Sequence, residues 1–109
     1  MLGEIAYKIE KGLREIYRKA GIKPFEDDEV LIKINYKYES PYTGGLVSKG
    51  ISEARGKYGE LDFLIRKAVD TINGWIANSP NYKMGFVTRS CFIIKLITPY
   101  GSYETTLWK

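Results

Sequence analysis

The chain has 109 residues, of which 44% are hydrophobic, 28% charged and 14% aromatic, a size and balance that fit a single globular domain, 1–109, and exclude a disordered tail. It has no histidine, one cysteine and two methionines, which removes histidine-based triads, imidazole acid–base chemistry, ordinary zinc sites and an intrachain disulfide. Seventeen basic residues against thirteen acidic ones leave a formal charge of +4, a field that attracts polyanions but also serves plain solubility.

The excess is uneven. Residues 61–109 hold six basic groups against three acidic ones, the first sixty eleven against ten, so the back half carries the field. The first twenty residues alternate charged and apolar groups, and nowhere is an apolar run long enough to span a bilayer; the expectation is a soluble, cytoplasmic protein with no membrane partner. Glutamine is absent while Ile, Lys, Glu and Tyr abound. That bias resembles proteins of hyperthermophilic archaea or their viruses, where heat-labile amides are scarce, and it implies a source without implying an activity.

In chain order, Leu2, Ile5, Ala6, Ile9, Leu13, Ile16, Tyr17 and Ala20 recur at three- and four-residue intervals, which predicts an amphipathic helix over 2–20. Glu4 with Lys8, Glu10 with Arg14 and Glu15 with Lys19 lie four apart on its other side, the favourable order for helix ion pairs. Gly21 fits a left-handed cap, Ile22 can fold back on Tyr17, and Pro24 prevents continuation. Glu26, Asp27, Asp28 and Glu29 form the one carboxylate run. Consecutive acids ahead of a strand point in alternating directions, and no acid, any residue, Lys sequence ends a strand, so the run reads as a solvated turn and no metal site is expected.

Val30, Ile32, Ile34, Tyr36 and Tyr38 alternate with Leu31, Lys33, Asn35, Lys37 and Glu39, the period of a strand with one buried face. Ser40–Gly59 then holds five of the eleven glycines together with Lys49, Arg55 and Lys57, and reads as a long glycine-rich loop. A helix starting at Ser52 would carry two interior glycines at roughly 1 kcal/mol each relative to Ala. No Gly-Lys-Ser/Thr and no strand-linked Gly-x-Gly-x-x-Gly is present, so neither a P-loop nor a dinucleotide fold is indicated. Gly56-Lys57-Tyr58-Gly59 resembles the GXXG loop of KH domains, which clamp single-stranded nucleic acid. That resemblance implies that Lys57 contacts phosphate and that the helix from Glu60 lines a groove. The chain departs from the KH pattern in having Arg55 before the first glycine and in lacking a C-terminal helix.

Leu61, Leu64, Ile65, Ala68, Val69, Ile72, Trp75 and Ile76 predict a second helix over 60–78, stopped by Asn78, Ser79, Pro80 and Asn81. Three strands follow at 83–88, 91–98 and 102–108, with Thr-Arg-Ser and Pro-Tyr-Gly at the turns. The order α-β-loop-α-β-β-β predicts a two-layer α+β domain, two amphipathic helices packed on one face of a four-stranded, mostly antiparallel sheet.

Two surfaces stand out. Lys33, Lys37, Tyr42, Lys49, Arg55, Lys57 and Tyr58 interleave cations with aromatic rings, the combination that neutralises phosphates and stacks bases. Tyr36 and Tyr38 share the face of Val30 and Ile32, which leaves stacking to Tyr42 and Tyr58. The strand over 91–98 is apolar on both sides, with Phe92, Ile94 and Leu96 opposite Cys91, Ile93 and Ile97, interrupted by Lys95. A two-layer monomer covers one such face, so a homodimer through Cys91, Ile93, Ile97 and Trp108 is expected. Cys91 itself reads as a small buried hydrophobe. The expected function is that of a basic, non-catalytic binding protein, dimeric and without cofactor, that engages DNA or RNA. The alternative is a protein-interaction module, a regulator or inhibitor of viral type that uses its sheet face or edge.

Overall fold

The structure, a computed structural model, describes residues 2–39, 45–78 and 90–108. Helix α1 (Leu2–Ala20) buries Ile5, Ile9, Leu13, Ile16 and Tyr17 along one side, as their spacing requires. It ends at Gly21 with φ 71°, where the amides of Gly21 and Ile22 donate to the carbonyls of Arg18 and Tyr17 at 3.2 and 3.3 Å. This is the left-handed cap that glycine adopts without strain. On the solvent side Glu15 pairs with Arg18 at 2.8 Å, one residue nearer than Lys19, and that guanidinium holds the Glu15 carboxyl below its usual range.

Strands β1 (Glu29–Glu39), β2 (Leu46–Lys57), β3 (Ser90–Thr98) and β4 (Gly101–Trp108) form one antiparallel sheet in the order β2-β1-β3-β4. Helix α2 (Leu61–Asn78) follows β2 through a 3-10 turn (Tyr58–Glu60), which begins where the Glu60 carboxylate accepts the Lys57 amide at 3.3 Å. α1 rests on β3 and β4, and α2 on β1 and β2. The two-layer α+β architecture is therefore as the sequence predicts.

The predicted loop over 40–59 is corrected: residues 46–57 are a strand paired with β1 along its whole length. Its inward positions are Gly50, Ser52, Ala54 and Gly56, all small. A Cβ added at Gly50 would lie 3.3 Å from the Trp75 indole, and one at Gly56 3.0 Å from Leu64. These two glycines give α2 room to lie against the strand, a packing role that composition alone reads as flexibility. The strand predicted at 83–88 and the ring of Tyr42 lie outside the described residues, and the predicted Pro-Tyr-Gly turn does join β3 to β4.

Every second residue of the inner strands enters the core: Val30, Ile32, Ile34 and Tyr36 from β1, Phe92, Ile94 and Leu96 from β3. Helix α2 adds Leu64, Ile65, Ala68, Val69 and Ile72. The rings of Tyr36, Trp75 and Phe92 form a near-parallel cluster, with centroids 5.6 Å (Tyr36–Trp75), 4.9 Å (Tyr36–Phe92) and 6.4 Å (Trp75–Phe92) apart, and the buried Tyr36 hydroxyl has no hydrogen-bond partner among the described residues. Among the described residues no helix is long and apolar enough to cross a membrane.

Candidate nucleic-acid interface

Because α1 and α2 cover one face of the sheet, residues of the opposite parity point to the other, and the strand register arranges them in rows. One row reads Arg55, Leu31, Ile97, Ser102 across β2, β1, β3 and β4. The next is Glu53, Lys33, Lys95, Glu104, followed by Ile51, Asn35, Ile93, Thr106 and then Ser48, Lys37, Cys91, Trp108. Cross-strand partners in an antiparallel sheet project from the same face, so Lys33, Lys37, Lys95 and Arg55 share it with Leu31, Ile51, Ile93 and Ile97.

Lys33 and Lys95 are direct partners in this register, with Cβ atoms about 4.5–5.5 Å apart by ordinary sheet geometry. Together with Lys37, Asn35, Ile93 and Glu104 they line a shallow depression of 310 Å³. Like charges directly opposite each other destabilise a strand pair. Glu53 flanks the row, its carboxylate 3.6 Å from the Lys33 ammonium with both groups about half exposed, a pairing that water and salt weaken. Further along β1, Ser48 donates to the Asn35 side-chain oxygen at 3.2 Å.

The residues singled out from sequence divide into three groups. Lys33, Lys37 and Arg55 come together on the open face. Lys49 is the extra residue of a bulge, since Gly50 pairs with Tyr36 and Ser48 with Lys37; it is exposed on an edge strand whose regularity the bulge breaks. Lys57 sits at the far end of β2, 3.6 Å from an Asp27 carboxylate oxygen. Tyr58 is not a free stacking ring: it is half-buried and packs edge-on against Tyr17 with centroids 5.6 Å apart. Tyr42 falls outside the described residues.

No protein-family model, curated protein or solved structure matches the chain. The likeness of residues 56–59 to a KH loop also fails on geometry. Gly56 and Lys57 close a β-strand, and the amides of Tyr58 and Gly59 already donate to the carbonyls of Asp28 and Glu26 at 2.8 and 2.9 Å. A backbone so engaged has no free donors to offer a phosphate.

Glu26 and Asp27 are exposed at a turn, as the sequence predicts, and Glu29 is exposed at the start of β1, whereas Asp28 is half-buried and belongs with those two contacts to a clasp. The Asp28 carboxylate accepts from the Tyr17 hydroxyl at 3.0 Å, the Phe25 amide at 2.9 Å and the Tyr100 hydroxyl at 3.4 Å. Burial of the ring and the bond to Asp28 push the Tyr17 phenol well above its ordinary value. Among the described residues no three acidic or cysteine side chains converge as metal ligands.

Of the four residues assigned to a dimer seam, Ile93, Ile97 and Trp108 do share the open face. Cys91 has the same parity but is 1% exposed, so it presents no surface to a partner. The residue sequence reasoning passed over is Lys95, treated there as an interruption in an apolar strand. A lone cation between Ile94 and Leu96 in an otherwise apolar strand was the available signal; its place opposite Lys33 follows only from the strand register.

Proposed function

We propose that this protein is a non-catalytic nucleic-acid-binding domain whose working surface is the open face of its sheet. The observation that carries the reading is the placement of Lys33 directly opposite Lys95, with Lys37 and Arg55 on the same face. Lysines at directly opposed positions destabilise a strand pair, and the exposed Glu53 carboxylate 3.6 Å from the Lys33 ammonium is a weak counter-charge, so a phosphate laid over this row gains affinity by relieving that cost. Four cations spread over three strands suit a ligand with phosphates in series better than a single small anion.

Binding driven this way falls steeply with salt. Neutralising about four phosphates predicts a loss of roughly fifty- to one-hundred-and-fifty-fold between 50 and 200 mM salt, for single strands and duplex respectively. A mobility shift or anisotropy titration with short oligonucleotides at these two salt concentrations tests it. Absence of binding at 50 mM with micromolar protein overturns the reading.

A second reading is a protein contact through the same face, with another copy of this chain as the occupant. It is favoured by the exposure of Ile51 at 61% and Trp108 at 42%. Against it stands the central position of Lys33 and Lys95, because removing an ion from water costs several kcal/mol (roughly) unless its partner geometry is excellent.

A further inference from the structure

We infer that the ligand of the open face is an unpaired nucleic-acid strand, laid along the seam between β1 and β3, and not a duplex. The inference rests on the nucleic-acid reading above and adds which form is bound, and where.

Shape is the first ground. Four strands spaced about 4.8 Å apart make a surface about 14 Å across before side chains are added, wider than the roughly 12 Å of the major groove of a DNA duplex. The sheet therefore cannot enter that groove, and among the described residues no helix or ribbon projects from this face to do so in its place.

Chemistry is the second. Along the seam, rows of different character alternate: Lys37; then Asn35 with Ile93, and Ile51 beyond Asn35 on β2; then Lys33 with Lys95; then Leu31 and Ile97, with Arg55 beside them on β2. Successive rows on one face are two residues apart, about 6.8 Å, close to the step of one nucleotide in an extended strand. A duplex keeps its base faces inside the stack and offers a flat protein surface only phosphates and sugars. The aliphatic rows would then find nothing apolar to cover. An unpaired strand sets its phosphates on the cations and turns the faces of its bases onto Ile93, Ile97 and Leu31, so that both kinds of row are used. No aromatic ring lies in the two central strands of this face, so the bases are covered by aliphatic contact. That contact is tolerant of sequence, because every base has an apolar face.

The test compares fluorescein-labelled 12-nucleotide DNA and RNA strands of mixed sequence with the matching DNA duplex at 50 mM salt, using the full chain. The expected result is at least tenfold tighter binding of single strands than of duplex. Ile93→Thr is expected to weaken single-strand binding several-fold and leave duplex binding unchanged. Ile51→Thr supplies a second reading at a position 61% exposed, where folding does not depend on the side chain. Lys33→Gln combined with Lys95→Gln is expected to weaken both ligands together. Duplex bound as tightly as single strands, or single-strand binding indifferent to both isoleucine substitutions in folded protein, overturns this inference and leaves the nucleic-acid reading standing. Failure of every oligonucleotide to bind overturns both.

Discussion

Tyr17 joins three segments that are distant in sequence. Its ring is 3% exposed at the end of α1, it lies against Tyr58 and Tyr100, and its hydroxyl donates to Asp28. A hydrogen bond to a charged acceptor contributes about 1.5–3 kcal/mol, so Tyr17→Phe is expected to lower the thermal midpoint by several degrees at pH 7. The alkaline limb carries a further signature. The folded phenol titrates above its unfolded value of about 10, so folding favours the protonated form. This contribution is fully present below pH 10 and is lost as the pH rises from there toward the folded value. Melting wild type and Tyr17→Phe between pH 8 and 11 should show the gap between them closing above pH 10; a gap that stays constant refutes the coupling.

At the scale of elements, glycine serves two opposite purposes. Gly12 lies in the middle of α1, where a Cβ would come 2.5 Å from Leu96 and 2.7 Å from Tyr103, and Leu96 is fully buried with nowhere to move. The helix is thus seated on the sheet through the missing side chain of Gly12, whereas Gly3 in its first turn meets nothing within 4 Å. Gly74 in α2 has nothing within 4 Å of the same construction. Gly74→Ala is expected to stabilise by up to about 1 kcal/mol through helix propensity. Gly12→Ala, which gains the same propensity but overpacks a buried contact by about 1–3 kcal/mol, is expected to destabilise. Urea unfolding of the two variants beside wild type decides it, and equal stabilisation by both would show that α1 is not fixed by this contact. β2 follows the same logic: its inward line of Gly50, Ser52, Ala54 and Gly56 is low enough for Trp75 and Leu64 to rest on it.

For the molecule as a whole, the question is what meets the open face. Three of its four cations, Lys33, Lys37 and Lys95, lie in the central strands, while Arg55, Glu53 and Glu104 lie in the outer ones. Two such faces brought together in dry contact would bury the central lysines, at a cost that the flanking isoleucines must exceed. In place of the homodimer expected from the apolar pattern of β3, light scattering at micromolar concentration is therefore expected to give the monomer mass of 12.5 kDa. A species of twice that mass, dissociated by Ile93→Lys, would favour the second copy over nucleic acid as the occupant.

Periodicity determined both helices, the buried side of β1 and the two-layer class, and cap and turn residues determined the glycine cap after α1 and the β3–β4 hairpin. Each of these depends on contacts local enough for spacing to carry them. Lys33, Lys37 and Arg55 were equally legible as cations, but not as neighbours of Lys95. Which residues share a face across strands depends on register and strand order, and those are settled by pairing between segments more than fifty residues apart. For the same reason glycines in mid-chain read as a loop: a small side chain looks alike in sequence whether it frees the backbone or admits a neighbour. Only the arrival of α2 on β2 distinguishes the two. Tertiary structure also drew Tyr58 and Asp28 into a clasp and moved the candidate site from a loop to a sheet face, because burial and charge pairing are properties of the assembled layers.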